Sequence, residues 1–219
     1  MTKILKNKEY NLIERVILNK FESSSEVIVK NGDDASVVKF GDSFVVSSID
    51  SYYEDIHFSF KYGSYFDIGV KSVEASASDI IAMGAEPKFV LISISGRKEQ
   101  LSEENLNLFF KGIKKSSDRL KLVIIGGDTC SSNSFSVTIT VLGESKDEKR
   151  IIKRSGAKIG DLLYVTGTLG ENAGGLYCFN HDLEGFEDLK SKYLRPKCRN
   201  DLYKQILNYA TSMIDVSDG

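Results

Sequence analysis

A chain of 219 residues with 41% hydrophobic and 27% charged residues can bury its own core as one large domain or two smaller ones, without disulfides or a structural metal. A net charge of -2 leaves no basic excess to gather a phosphate backbone, so nucleic acid is not an expected partner, and no apolar run approaches the roughly 18 residues of a membrane span. Three cysteines without CxxC spacing point to a reducing cytoplasm, and two histidines leave little material for a zinc site or a Ser-His-Asp triad.

Leu12, Ile13, Val16, Ile17 and Phe21 recur at helical spacing and predict an amphipathic helix over residues 7–21. Ser36–Phe40 and Ser43–Ile49, rich in Val, Ser and Phe and separated by Gly41-Asp42, read as a hairpin. A helix is expected from Phe66 to Met83, stopping at Gly84 with Pro87 beyond it. Phe89–Ser95 reads as a strand, and the helix after it is capped by Ser102 with Glu103 and Glu104 in its first turn. Leu122–Ile125 is a short apolar strand running into Gly126-Gly127-Asp128. Phe135, Val137, Ile139 and Val141 then alternate with hydroxyl residues, as in a strand with one wet face.

The charged stretch at residues 145–150 is the best linker, dividing a first domain, residues 1–148, from a second that starts at 149. In the second, Leu162–Thr166 is expected as a buried strand, with Gly167, Gly170, Gly174 and Gly175 around a helix start. Asp201–Thr211 is expected as a helix, and Met213 as the opening of a strand. About 70 residues is short for a domain with its own sheet, so residues 149–219 read as the start of an incomplete one.

Aspartates at strand ends or beside glycine are the most telling chemical feature: Asp33-Asp34, Asp50, Asp79, Asp128, Asp215 and Asp218. Carboxylates on short stems suit hard cations such as magnesium, which complete their shell with water and phosphate oxygens. Asp beside Gly is also a common turn signal. That alternative does not reach Asp79, which lies inside a predicted helix with Ser72 and Ser76 on its face and Ile80, Ile81 and Ala82 beside it. No GxxxxGK[ST] loop is present, and the glycines after Val165 permit either an anion at a helix N-terminus or tight packing. His57 is open to a structural or a functional role, His181 reads as a solvated loop residue, and the three cysteines read as inert packing thiols.

Taken in order, GDDAS, VSSIDS with HF seven residues after the aspartate, SDIIAMGAEP, IGGDT, TITVLGE, RSGAKIGDLLYVTGTLGENAGGL, YLRP and IDVSDG resemble the thiamine-monophosphate kinase family of the ATP-binding superfamily that includes aminoimidazole ribonucleotide synthetase. The resemblance implies an α+β fold, with an N-terminal mixed or antiparallel sheet flanked by helices that pairs in a homodimer. An incomplete second α/β domain would follow. It implies ATP-dependent phosphorylation of thiamine monophosphate to thiamine diphosphate, with several magnesium ions held by Asp34, Ser48, the carbonyl of Ile49, Asp50, Asp79, Asp128, Asp215 and Asp218. ATP would meet Gly127, Asp128, Arg154 and Ser217, with Phe110 against the adenine, and His57 would meet thiamine monophosphate. No side chain is implied as a general base, because a loose phosphoryl transition state asks mainly for alignment and charge neutralisation.

Departures from the family pattern are Ile49 for a frequent Thr, Asn172 for Ser, Cys198 for Pro, and the lack of a GGEDYE-like segment. Two other readings stay open: a different ATP-using superfamily member, aminoimidazole ribonucleotide synthetase-like or selenophosphate synthetase-like, and a non-catalytic dimerisation module.

Overall fold

Long alternating segments build the sheet. The computed structural model describes residues 24–30 and 32–217, together with 12, 15 and 16, so the helix expected over residues 7–21 lies largely outside the described residues. Six strands, β1 (Val27–Val29), β2 (Ser36–Phe40), β3 (Ser43–Tyr53), β4 (Glu86–Gly96), β5 (Val123–Ser131) and β6 (Ser136–Ser145), form one sheet in the order β1-β2-β3-β6-β4-β5. All pairs are antiparallel except β4 with β5. The β2–β3 hairpin turns at Gly41, whose φ of +61° suits a residue without a Cβ.

Period-two alternation sorts the side chains. Val46, Val137, Ile139, Val141, Val90, Ile92 and Ile94 point to one face and are buried, while Ile49 and Leu91 point to the other and are exposed. The buried face is covered by α1 (Tyr65–Ala82) and α2 (Glu103–Leu120). Helix α1 starts at a reciprocal capping box: Ser64 N–H donates to Asp67 Oδ2 at 2.9 Å, and Asp67 N–H donates to Ser64 Oγ at 3.3 Å. Ser102 Oγ caps α2 by accepting from Asn105 N–H at 3.4 Å.

After β6 a 3-10 turn, Glu148–Arg150, leads into a segment carrying three helices: α3 (Glu171–Asn180), α4 (Glu187–Leu194) and the single turn α5 (Tyr203–Ile206). Here the structure corrects several expectations. Leu162–Thr166 is neither a strand nor buried: Leu163 is 99% exposed, and no strand among the described residues runs beside it to complete a ladder. Asp201–Thr211 is helical only over α5, and Met213 opens no strand. Gly175 serves packing, since a Cβ there would lie 2.2 Å from the Leu189 carbonyl oxygen on α4. Cys178 and Cys198 are buried as expected, but Cys130 is exposed on β5. No helix among the described residues is long and apolar enough to cross a membrane.

Candidate active site

Three carboxylates from distant parts of the chain converge beside the middle of β3, where Ser48 lies. Asp34 sits in the turn before β2, Asp79 in the last turn of α1, and Asp215 in the irregular segment after α5. One oxygen from each lies within 4.8 Å of the other two. Ser78 Oγ shares its proton between the Ala75 carbonyl oxygen at 2.7 Å and Asp215 Oδ2 at 3.0 Å, and Asp79 is fixed by Ser48, whose hydroxyl donates to Asp79 Oδ2 at 2.5 Å. Asp50 shares the inward face of β3 with Ser48 and Tyr52 and lies close enough to Asp215 for the two charges to repel.

The electrostatics are unfavourable without a cation. Burial pushes the Asp79 carboxyl up to about 8, against the Ser48 hydrogen bond, and Asp50, Asp215 and Asp34 add repulsion. Its place near the C-terminal end of α1, with no basic residue in the last turn, sets the negative end of the helix dipole against it as well. Burial also raises Asp34, to about 6, although Arg154 opposes this. Asp50 is raised too, chiefly by burial and offset in part by Ser76. Arg154 pairs with the group: its Nε donates to Asp34 Oδ1 at 2.7 Å, its Nη2 lies 2.5 Å from the same oxygen, and its backbone N–H donates to Asp33 Oδ1 at 3.0 Å.

That arrangement leaves Asp34 Oδ2 buried with no hydrogen-bond partner. An orphaned carboxylate oxygen beside converging oxygens from two other aspartates is a donor set suited to a hard divalent cation. The residues present therefore fit magnesium.

The remaining expected residues are placed elsewhere. The sheet register pairs Asp50 with Ile139, Ile139 with Ile92, and Ile92 with Gly127, which puts β5 about 14 Å from Asp50 across the sheet. Asp128, one residue on, belongs to the outward face. There Ile49, Leu91, Ser93, Gly127, Asp128, Thr138 and Thr140 line a shallow groove of about 320 Å³. The Ile49 side chain points away from the carboxylates, so only its backbone remains for a role among them. Gly127 has a structural reason of its own, because a Cβ would lie 1.8 Å from the Ile92 carbonyl oxygen. Phe110 is half-exposed on α2, edge-on to Phe109, and Ser217 is exposed in the irregular segment that carries Asp215. Asp218 lies outside the described residues.

His57 lies in the loop after β3, its Nδ1 accepting from Tyr53 N–H at 3.0 Å. His181 is exposed as expected and stacks on Tyr177 with ring centroids 4.0 Å apart. Ser72 and Ser76 do not bond Asp79: Ser72 donates to the Gly69 carbonyl oxygen at 3.3 Å, and Ser76 shares a 2.9 Å hydrogen bond with the Tyr52 hydroxyl. The sequence reading missed Ser78 and Tyr52. Adjacency to Asp79 was a signal for the first, and β3 alternation with Ser48 and Asp50 for the second.

The model of the AIR synthase related protein, N-terminal domain, matches residues 32–145, just over half of the chain. The thiamine-monophosphate kinase of Aquifex aeolicus is 31% identical over 215 residues, covering 96% of this chain and 67% of that protein. That of Mycobacterium tuberculosis is 30% identical over 96% of this chain and 63% of its own length. The chain thus spans about two thirds of the curated relatives it matches. The solved structure titled "AaThiL complexed with AMPPCP and TMP" superposes with a TM-score of 0.85 at 28% identity, covering 100% of this chain and 68% of that one. With the converging carboxylates, the domain match and this likeness in sequence and fold, the chain belongs to the thiamine-monophosphate kinase family, within the AIR synthase-related superfamily.

Proposed function

We propose that this chain takes part in transferring the γ-phosphoryl group of ATP to thiamine monophosphate, giving thiamine diphosphate, as the names of its relatives indicate. The observation that carries this reading is the convergence of Asp34, Asp79 and Asp215 within 4.8 Å beside an unpartnered buried oxygen of Asp34. Two phosphate-bearing reactants repel each other, and Arg154 alone cannot neutralise the aspartates and the phosphates together. Magnesium bound by these aspartates would supply the missing positive charge and hold phosphate oxygens in line.

The chain's own groups do the rest. Ser48 orients Asp79 by a hydrogen bond that needs no rearrangement on binding, and Ser78 lies beside Asp215. Arg154, 43% exposed while bonded to Asp34, keeps part of its planar fork available for a phosphate oxygen. His57, with Nδ1 occupied by Tyr53 N–H, carries its proton on Nε2 when neutral and can donate there to the acceptor phosphate. We further infer a homodimer through the outward sheet face, which carries Ile49 and Leu91, 68% and 36% exposed.

Thermal denaturation with a non-hydrolysable ATP analogue tests the proposal. The melting temperature should rise with analogue plus magnesium, stay put with analogue plus chelator, and rise further on adding thiamine monophosphate. Stabilisation by magnesium and nucleotide with no response to any thiamine ester would reassign the acceptor to another substrate.

A further inference from the structure

Beneath His57 a single lysine joins three separate parts of the fold. The loop that follows β3 passes through Asp55 at a φ of +60° and presents the His57 carbonyl inward. That oxygen accepts from Lys71 Nζ at 3.1 Å and from the Tyr193 hydroxyl at 3.5 Å. Lys71 comes from the second turn of α1, and Tyr193, buried, from the end of α4. The Lys71 ammonium also lies 3.7 Å from the centroid of the Tyr193 ring, a cation–π seat. Burial draws the Lys71 ammonium down to about 8, so this position costs hydration that an ordinary surface lysine keeps.

The imidazole above is held as firmly. Its Nδ1 accepts from Tyr53 N–H, and its ring lies 6.1 and 6.0 Å from those of Tyr52 and Tyr53. The backbone on one side of the ring is thus fixed by Lys71, and the ring itself by the last residues of β3. Tyr52 in turn bonds Ser76 beneath the carboxylate group.

We propose that Lys71 is a positioning residue: seated on the Tyr193 ring, it fixes the His57 carbonyl, so that the ring stays on the Tyr53 N–H that sets its tautomer, and it links the loop to α4. Its bearing on the reaction rests on the reading that His57 meets the acceptor phosphate. The geometric claim does not.

With two histidines in the chain, imidazole nitrogen spectra resolve the matter, His57→Gln assigning the signals. The wild-type protein should show His57 in the single Nε2–H tautomer. In Lys71→Met, which keeps the aliphatic stem and loses the charge, the His57 signals should move toward tautomer averaging while those of His181 stay unchanged. Lys71→Arg should restore them. Tyr193→Leu removes the seat of the ammonium, should reproduce the shift, and decides the question if Lys71→Met does not fold. Unchanged His57 signals in a folded Lys71→Met or Tyr193→Leu protein would overturn the proposal. In titrations, Lys71→Met should weaken binding of thiamine monophosphate about tenfold, a loss of about 1.4 kcal/mol, and leave the ATP analogue unaffected. A wild-type chain that binds nucleotide but no thiamine monophosphate would overturn the acceptor assignment alone, because the imidazole spectra require no ligand.

Discussion

Asp79 is held where a carboxylate has least support, near the C-terminal end of a helix, mostly buried and facing three other acids. Its carboxyl is pushed up to about 8, whereas in the unfolded chain it titrates near 4. A group whose folded value is raised stabilises the fold below its unfolded value, and loses that contribution as pH climbs through the folded one. In chelator, the melting temperature of the wild type should therefore fall between about pH 4 and pH 8 more steeply than that of Asp79→Asn. Magnesium should recover the wild type at pH 8 but not the variant, which should remain folded and bind magnesium–ATP weakly. Equal slopes for the two proteins in chelator would mean that Asp79 is not the strained acid. This residue was legible in the sequence because a helix interior offers no turn to explain an aspartate. Asp128 was legible only as an acid beside glycine; its distance from the others depends on strand order, which no local pattern encodes.

At the scale of elements, α1 and α2 touch through glycines: a Cβ at Gly69 would lie 2.3 Å from the Phe109 carbonyl oxygen, and one at Gly112 would lie 2.1 Å from that of Phe66. Gly112→Ala should cost about 1–3 kcal/mol by overpacking, read as a lower denaturation midpoint with an unchanged slope. A second seam is polar. Glu74, 3% exposed on α1, pairs with Arg119 of α2 and accepts from Cys198 N–H at 3.1 Å, tying the segment after α4 to both helices. Glu74→Ala removes a buried partner from two donors and should cost about 3 kcal/mol. Removing the exposed pair Lys114–Asp118 should cost no more than about 0.5 kcal/mol. If the two changes prove equal in urea titrations, the buried pair does not hold the segment. The helices and the hairpin were readable because a capping serine, a terminal glycine and period-two alternation act within a few residues. Leu162–Thr166 was misread for the complementary reason: an apolar run states that burial is wanted, and a strand exists only where a neighbouring strand lies alongside.

For the molecule as a whole, the outward sheet face sets the last constraint. Its middle is formed by Val45, Ser47, Ile49 and Ser51 on β3, Thr138 and Thr140 on β6, and Leu91 and Ser93 on β4, with no charged side chain among them. Such a surface lacks the charges that keep a sheet face in water. With Asp128 kept to its β5 edge and its middle apolar and hydroxyl-rich, it can oppose its own copy about a two-fold axis through that middle with little charge brought together. We expect a second copy as the occupant, with the buried face and its helices left as they are. Leu91→Glu would place two carboxylates in such an interface, one from each copy, so the effect on association is doubled while the fold keeps its core. Sedimentation equilibrium should then show a dimer for the wild type and a monomer for Leu91→Glu with unchanged circular dichroism. A wild type that stays monomeric at micromolar concentration would leave this face to a different occupant, because a sheet surface whose middle carries no charge and bears Ile49 at 68% exposure is a poor surface to leave in water.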